Sequence, residues 1–308
     1  MAKQRKPKHI SGFVSILGKP NAGKSTLLNR LAGAKLAIVA DKPQTTRDAI
    51  QAVVTLPHAQ IVFVDTPGMH EPKNLLHRKM METVKTAMKD QDLLIWIADA
   101  TLPFSESAGS YLETLKQSGT PAILALNKLD LLPNKAALIP LLDGYRNAVP
   151  FEAYVPLSAE TGDGVDALLD EILKRLPEGP QYFPPDHLTD QPMRFLAAEI
   201  VREKILHATG QEVPHSVAVL IDKWEEFPGL VRIIASIAVE RAGQKAIIIG
   251  KGGAMLKQIG TLARTELQER LRKKVYLELF VKVEKDWRAR EAFLKELDYQ
   301  KIAGGEPA

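Results

Sequence analysis

The chain has 308 residues, of which 45% are apolar and 25% charged, a composition typical of globular proteins and long enough for two domains. It contains no cysteine, which excludes disulfides, thiol nucleophiles, iron–sulfur clusters and cysteine-based zinc sites. The basic start Met1–His9 has no apolar stretch behind it, and no run reaches about 18 apolar residues. We therefore expect neither a secretory signal nor a spanning helix, and a cytoplasmic location. The net charge of +4 is compatible with an anionic partner but does not require one.

Residues 11–176 alternate short apolar runs with longer amphipathic segments, the pattern of an α/β domain with a mostly parallel sheet flanked by helices. Six runs are expected to form its strands: Phe13–Leu17, Ala49–Leu56, Ile61–Val64, Asp92–Ala98, Ala122–Leu126 and Tyr154–Leu157. Residues 177–192 hold five prolines and predict a linker.

A second, smaller α/β domain is expected over residues 193–298, between the linker and a C-terminal tail at 299–308; residues 1–10 are read as a basic N-terminal tail. Its expected elements are, in order, a helix, two strands, a helical region, a strand and a closing helix: Met193–Ala208, His215–Lys223, Val231–Glu240, Gln244–Arg272, Val275–Glu284 and Trp287–Leu297.

A phosphate-binding loop follows the first expected strand. Residues 18–25 match G-x-x-x-x-G-K-[ST] between a strand and a helix, the context that this motif requires. Its glycines allow backbone N–H groups to surround phosphates, Lys24 can reach the β- and γ-oxygens, and Ser25 can bind magnesium. The nucleotide-binding residues predicted here are Gly18, Lys19, Pro20, Asn21, Ala22, Gly23, Lys24, Ser25 and Thr26.

Two further segments belong with this loop. Asp65-Thr66-Pro67-Gly68 ends an apolar run, where Asp65 can hold a magnesium-bound water and the Gly68 N–H can meet the γ-phosphate. Alone, this segment would be read as a plain turn; forty residues after a phosphate loop, the nucleotide role is favoured. Gln44–Arg47 offers a threonine hydroxyl for the magnesium shell, although alone it would be an ordinary polar loop.

A base-recognition site is predicted after the fifth and sixth strands. In Asn127-Lys128-Leu129-Asp130, the carboxylate can accept hydrogen bonds from N1–H and the exocyclic amine of guanine, donors that adenine does not present in that arrangement. Lys128 is expected to cover the purine and Asn127 to tie the loop to the phosphate side. In Ser158-Ala159-Glu160 the N–H of Ala159 is expected to meet guanine O6.

With these stretches in this order, residues 11–176 resemble a small translational GTPase domain. The resemblance implies that Thr46 is the magnesium ligand of the first switch, beside Ser25 and Asp65, and that the second switch begins at Asp65. Met69 stands where Ras-type proteins carry a water-orienting glutamine, and methionine cannot orient water by hydrogen bonding. In similar GTPases an asparagine at the position of Asn21 binds potassium, which makes K⁺ a candidate cofactor beside Mg²⁺. The predicted catalytic residues are Lys24, Thr46, Gly68 and Asn21.

An RNA-binding loop is predicted in the second domain. Residues 250–253 form G-x-x-G, and residues 241–274 carry nine Lys or Arg against two acids. The element order resembles a bacterial-type (type II) KH domain, which implies that residues 244–249 form a short helix, although Ile247-Ile248-Ile249 alone reads as a strand. The RNA-binding residues expected are Gly250, Lys251, Gly252, Gly253 and Lys257.

Two other groups on the same helical region have simpler interpretations. Leu256, Ile259, Leu262 and Leu271 have the spacing of core residues. The basic cluster at 270–274 either contacts RNA backbone or complements the negative end of its helix, and the sequence leaves both open.

A GTPase domain followed by a KH domain in about 300 residues is similar to the Era family of bacterial ribosome-assembly GTPases. That resemblance implies slow GTP hydrolysis, and a GTP-dependent monomeric switch that binds small-subunit ribosomal RNA near its 3′ end, assists biogenesis of the small ribosomal subunit and contacts the inner face of the cell membrane. Two alternatives are a non-switching RNA-binding module stabilised by nucleotide and a tRNA-modification-type GTPase.

Overall fold

The computed structural model describes residues 9–104, 109–210, 213 and 216–302. They divide into two compact units. The first takes the described residues within Met1–Ala37, Thr46–Glu71 and Lys79–Asp190; the second takes those within Ile38–Thr45, Pro72–Arg78 and Gln191–Ala308. Residues 1–8 of the predicted basic tail lie outside the described residues, and Ile10 already belongs to the first strand.

The first unit is built on a six-stranded sheet with the order β2-β3-β1-β4-β5-β6. Only the β2–β3 pair is antiparallel, which confirms the mostly parallel sheet. The strands match the six predicted runs to within three residues at each end: β1 Ile10–Gly18, β2 Ile50–Leu56, β3 Ala59–Asp65, β4 Leu93–Asp99, β5 Ala122–Asn127 and β6 Ala153–Pro156.

Helices cover both faces of this sheet, which explains why its central strands are continuous apolar runs. On β4, Ile95 and Ile97 join one buried cluster while Leu94 and Trp96 join another, as the two-residue period of a strand requires. The helices are α1 Lys24–Ala32, α2 Leu75–Ala87, α3 Gly109–Gln117, α4 Leu138–Ala148 and α5 Val165–Leu173.

The predicted linker follows a defined path within the first unit. Its residues run beside β2 and β3, where the N–H of Val53 donates to Leu188 O at 2.9 Å and the Thr189 hydroxyl donates to Gln51 O at 2.7 Å. Gln60, fully buried, accepts from the N–H groups of Tyr182 and Phe183 at 2.8 and 2.9 Å. Prolines prevent this segment from adding a regular strand, but its remaining backbone groups still find partners at the sheet.

The second unit contains a three-stranded sheet with the order β7-β8-β9, in which β8 pairs antiparallel with β7 and parallel with β9. The predicted order of elements is confirmed, except that the expected strand start at His215 lies outside the described residues. The elements are α6 Met193–Ala208, β7 Ala218–Phe227, β8 Leu230–Val239, α7 Ala242–Ile249, α8 Ala254–Leu271, β9 Lys274–Val283 and α9 Glu291–Ile302. Residues 299–302, predicted as tail, belong to α9, because the closing helix continues; residues 303–308 lie outside the described part.

The segment 244–249 is helical, as the KH resemblance implies and against its strand-like pattern. The Gln244 side chain accepts from the N–H groups of Glu240 and Arg241 at 3.0 Å, which caps α7 at its start. The prediction that Leu262 faces the core is wrong, since it is 49% exposed. Buried α8 residues are Ile259, Ala263 and Leu267, four apart, and Leu262 is turned about 100° away from Ala263.

Leu256 and Leu271 pack against the core partly buried. Within the described residues, no helix combines the length and the apolar character needed to cross a membrane.

Candidate functional site

The phosphate loop joins β1 to α1. Gly23 occupies the N-cap of α1 with φ +96°, and Asn21 has φ +62°, so the loop turns through left-handed conformations before the helix begins. Lys24 is buried, and its ammonium donates to the carbonyl of Lys19 at 2.9 Å, with Gly18 O at 3.4 Å. The cation therefore lies against the loop backbone, where a phosphate held by the helix N-terminus would meet it.

Three oxygen-bearing side chains meet beside this lysine, as predicted. Ser25 Oγ lies 2.7 Å from Thr46 Oγ1 and donates to Asp65 Oδ2 at 2.7 Å, and Thr46 Oγ1 lies 3.4 Å from the same carboxylate oxygen. The other oxygen, Asp65 Oδ1, is buried without a hydrogen-bond partner. Hard oxygen donors with one orphaned carboxylate oxygen fit Mg²⁺, which takes one or two carboxylates together with hydroxyls, waters and phosphates.

Burial perturbs the two charges at this centre in opposite directions. It raises the pKa of Asp65 to about 6, against the opposing effects of the Lys24 ammonium and of hydrogen bonds from Ser25 and Thr46. It lowers the pKa of Lys24 to about 8, against the opposing effect of Asp65. Both charged forms are thus poorly solvated, and a metal-bound polyphosphate would stabilise both, with a further cation beside Asp65 and an anion beside Lys24.

The segment after Asp65 lies against the phosphate loop. Thr66 donates its hydroxyl to Ile16 O at 2.8 Å, and the N–H of Met69 donates to Gly18 O at 3.0 Å. A Cβ on Gly68 would lie 2.8 Å from Cα of Pro20, so only glycine allows this approach. The Met69 side chain is buried in an apolar cluster.

Asn127 connects the phosphate loop to the base-recognition loops. Its buried side chain donates to Ala22 O at 2.8 Å, as predicted for the phosphate side, and accepts from the N–H of Ala159 at 2.8 Å. The N–H of Ala159, for which a contact with guanine O6 is predicted, thus has the Asn127 side chain as its partner in this structure. Local patterns could not predict this pairing, because the two residues are 32 positions apart.

Lys128 and Asp130 belong to the predicted base-recognition loop that follows β5. The Lys128 ammonium pairs with Asp99 at 2.6 Å. Partial burial acts to raise the pKa of Asp99, but hydrogen bonds from Lys128 and Thr101 outweigh it and lower that pKa. Sequence reasoning missed Asp99, although its position at the end of β4 resembles that of Asp65 on β3. Asp130 is exposed, so its selectivity against adenine would arise only when a base covers it.

Arg30 of α1 stabilises the loop that follows β6, which contains Ser158, Ala159 and Glu160. The Arg30 guanidinium donates to the carbonyls of Ala159, at 3.1 Å, and of Glu160. Ser158 is buried, and its hydroxyl accepts from the N–H of Thr161 at 3.1 Å. Arg30 thus joins the end of the helix that follows the phosphate loop to the loop that follows β6.

The predicted RNA loop lies between α7 and α8 in the second unit. Gly252 has φ +59° with ψ +22° and Gly253 has φ +81°, and no heavy atom lies within 4 Å of where a Cβ on either would stand. Lys251 and Lys257 are exposed. A glycine turn that contains one exposed lysine and precedes another can receive a phosphodiester chain.

The basic cluster at 270–274 lies at the other end of α8. Lys273 pairs with Glu226 at 2.7 Å, while Arg272, with φ +51°, forms the C-cap of α8. Both also line an open cavity of about 1080 Å³, together with Arg232, Arg264 and Lys274.

Comparison with known proteins identifies relatives of both parts of the chain. Residues 13–128 match the family model for the 50S ribosome-binding GTPase, and residues 212–288 match the KH domain model. The GTPase Era of Geobacter metallireducens is 50% identical over 291 residues, 94% of this chain and 97% of that protein. The GTPase Era of Syntrophus aciditrophicus is likewise 50% identical over 291 residues, 94% and 95% of the two chains. The chain belongs to the Era family of GTPases.

Solved Era structures share the whole fold. A substituted form of Era from Aquifex aeolicus, bound to GDP·AlF4⁻, superposes with a TM-score of 0.91 at 42% identity over 94% of this chain and 99% of that one. An Era complex with MgGDPNP and nucleotides 1506–1542 of 16S ribosomal RNA gives the same values. Membership of the Era family accounts for the GTPase domain followed by a KH domain.

Asn127 and Asp130 allow stability to be separated from base recognition. We expect Asn127→Ala to lower the free energy of unfolding by about 2 kcal/mol, because it leaves the buried Ala22 carbonyl and Ala159 N–H unpaired. Asp130→Ala, at an exposed position, should leave unfolding unchanged and weaken guanine nucleotide binding. Denaturant unfolding without nucleotide and titration with GDP measure the two effects; equal stability of both variants would contradict this assignment of Asn127.

Proposed function

We propose that the protein is a magnesium-dependent GTP switch that binds small-subunit ribosomal RNA near its 3′ end and assists small-subunit biogenesis. The observation that carries the switch is the meeting of Ser25, Thr46 and Asp65 beside Lys24. Thr46 comes from a segment without helix or strand, so its place in this cluster depends on what else holds it there. A γ-phosphate and its magnesium would add contacts to that segment that are lost on hydrolysis.

The chain's own residues account for binding and for slow chemistry. Residues 18–25 would hold the phosphates, Lys24 would contact the β- and γ-oxygens, and the Gly68 N–H would meet the γ-phosphate. Ser25 and Thr46 would bind Mg²⁺ directly and Asp65 through water; the ion supplies neutralisation of charge developing on the phosphates. Met69 contributes no hydrogen bond to an attacking water, so unstimulated turnover should be slow.

The RNA assignment rests on the second unit and on the relatives. The KH match covers the turn at 250–253, and the Era structure with 16S ribosomal RNA nucleotides 1506–1542 is similar over 94% of this chain. We propose that the loop Gly250–Gly253, with Lys251 and Lys257, binds about four unpaired nucleotides of that RNA. Cytoplasmic location, a monomeric state and contact with the cell membrane stay predictions from the sequence.

RNA binding should depend on the nucleotide state. We expect the full chain to bind a short RNA copy of the 3′ end of 16S ribosomal RNA more tightly with a GTP analogue than with GDP, in titrations at one fixed salt concentration. Equal affinities in the two states would favour a non-switching RNA-binding module, and absence of binding would direct attention to another RNA or a protein.

Gly252→Asp should abolish this binding, since it places a carboxylate at the phosphates. Gly252→Asn is the matched control: it has the same shape and the same strain at φ +59°, without the charge. Fluorescence anisotropy with labelled RNA should rank wild type first, Gly252→Asn second and Gly252→Asp last. Equal loss in both variants would mean that bulk at the loop, and not charge, blocks the RNA.

Potassium should accelerate GTP hydrolysis through Asn21, whose exposed side chain lies on the left-handed turn of the phosphate loop. A monovalent cation there would offset charge on the phosphates in the place of an arginine finger. Phosphate release should be faster in K⁺ than in Na⁺ at equal ionic strength, and Asn21→Ala should remove the difference. Equal turnover of the wild type in both salts would exclude this role.

A further inference from the structure

Asp99, the last residue of β4, lies beside the base-recognition loop that follows β5. The two strands are parallel neighbours with Asp99 in register with Asn127, so both end at the same edge of the sheet. Lys128 is the next residue of the loop, and its ammonium lies 2.6 Å from Asp99 Oδ2. A carboxylate outside the predicted site is therefore paired with the residue that is expected to cover the purine.

The two carboxylate oxygens of Asp99 have different partners. Oδ1 accepts a hydrogen bond from the N–H of Thr101 at 3.0 Å and another from the Thr101 hydroxyl at 2.6 Å. Bonds of this kind, from a residue two positions further on, restrict rotation of an aspartate side chain. Because Oδ1 is held in this way, Oδ2 faces Lys128 and the ion pair has a defined direction.

The backbone on both sides of Lys128 is also held. The N–H of Ala100 donates to the carbonyl of Asn127 at 2.8 Å, and the N–H of Leu129 donates to the carbonyl of Leu157 at 3.2 Å. Lys128 itself has φ +72° and ψ +37°, a left-handed conformation that residues with a side chain seldom adopt. Since the backbone is fixed, the freedom that Asp99 removes is that of the long lysine side chain, whose ordering costs free energy.

We propose that Asp99 is a positioning residue for guanine binding, and that it acts through Lys128. By pairing with the ammonium, Asp99 orders the lysine side chain before a nucleotide binds, so that less conformational entropy is lost when the aliphatic carbons cover the purine ring. This inference rests on the proposed GTP-binding function and adds a residue of β4 to its base site.

Asp99→Asn tests the proposal because it keeps an oxygen that can accept from Thr101 and removes the charge that holds the Lys128 ammonium. The paired side chains are 12% and 29% exposed, so the ion pair is partly screened and its loss should weaken GDP binding about threefold. The KM for GTP should rise by the same factor with kcat unchanged, since Asp99 acts on binding of the base. Titration with GDP and steady-state hydrolysis by the full chain measure both. A GDP affinity equal to that of the wild type would overturn the proposal.

Inosine diphosphate separates the face of the purine from its edge. It lacks the exocyclic amine that Asp130 is expected to bind, so the ratio of GDP to IDP affinity reports on the Asp130 contact. Asp99→Asn should weaken both nucleotides by the same factor and leave this ratio unchanged, because a lysine side chain covers both rings alike. A fall in the ratio would mean that the loop as a whole has moved, and it would contradict action through Lys128.

A double-mutant cycle tests whether the two residues act together. Lys128→Met keeps an apolar side chain that can cover the base but has no ammonium for Asp99 to hold. Lys128→Met and Asp99→Asn should weaken GDP binding to a similar extent, and the double variant should be little weaker than either single variant. Full additivity of the two effects would exclude positioning of Lys128 by Asp99.

Asp92→Asn is the matched control. Asp92 immediately precedes β4 and so lies at the other end of the same strand, about 23 Å from Asp99 at about 3.3 Å per residue. Its carboxylate accepts from the N–H of Phe13 at 2.8 Å, a bond that the asparagine oxygen can also accept. Asp92→Asn removes the same charge from the strand and should leave both the GDP affinity and the GDP-to-IDP ratio unchanged.

A second variant covers the case in which Asp99→Asn does not fold. Thr101 is exposed, and Thr101→Val removes one of the two hydrogen bonds that orient the Asp99 carboxylate. It should weaken GDP binding by less than threefold without changing the GDP-to-IDP ratio, and an unchanged GDP affinity would then overturn the proposal.

The wild type separates this inference from the function on which it rests. If the wild type does not bind GDP in preference to ADP, the proposed guanine nucleotide site is wrong. If it does, and Asp99→Asn binds GDP as the wild type does, the site stands and the positioning role of Asp99 is excluded.

Discussion

The buried pair of Asp65 and Lys24 is the constraint around which the nucleotide site is arranged. Both side chains are almost completely buried. Burial raises the pKa of Asp65 and lowers the pKa of Lys24, and both shifts favour the neutral form. Ser25 and Thr46 turn their hydroxyls to one carboxylate oxygen and leave the other without a partner. A site of this kind gains free energy when a metal-bound anion enters, because the protein has already removed water from the groups that bind it.

The sequence predicts well those features that depend on residues close together in the chain. The phosphate loop, the carboxylate at the end of β3 and the order of strands follow from glycine, lysine and apolar patterns within a few residues of one another. Long-range pairings were not predictable in this way: Ala159 gives its N–H to Asn127, and Lys128 pairs with Asp99. The prediction that Leu262 faces the core is wrong for a related reason. Its spacing is compatible with a buried position, but that spacing alone does not determine which face of the helix packs against the core.

The isoleucine run at 247–249 shows what decides between two local patterns. Three β-branched residues favour a strand, yet the Gln244 side chain caps a helix start, and Gly250 with φ +71° ends it. Only Ile248 of the three is fully buried, so an alternating buried face never forms. Capping groups and one well-packed side chain outweigh β-propensity in this segment. The three isoleucines alone could not predict the helix, because the capping residues lie outside the run.

Two segments near predicted nucleotide-site residues belong to the second unit: Ile38–Thr45 just before Thr46, and Pro72–Arg78, which begins four residues after Gly68. They also contact each other, with His77 Nε2 3.1 Å from Gln44 Oε1. The chain therefore enters the second unit twice before residue 191, so the contacts of these segments do not follow the order of the sequence. Periodicity within a segment could not predict this, because it indicates which side chains of that segment are buried and does not indicate which distant residues they pack against.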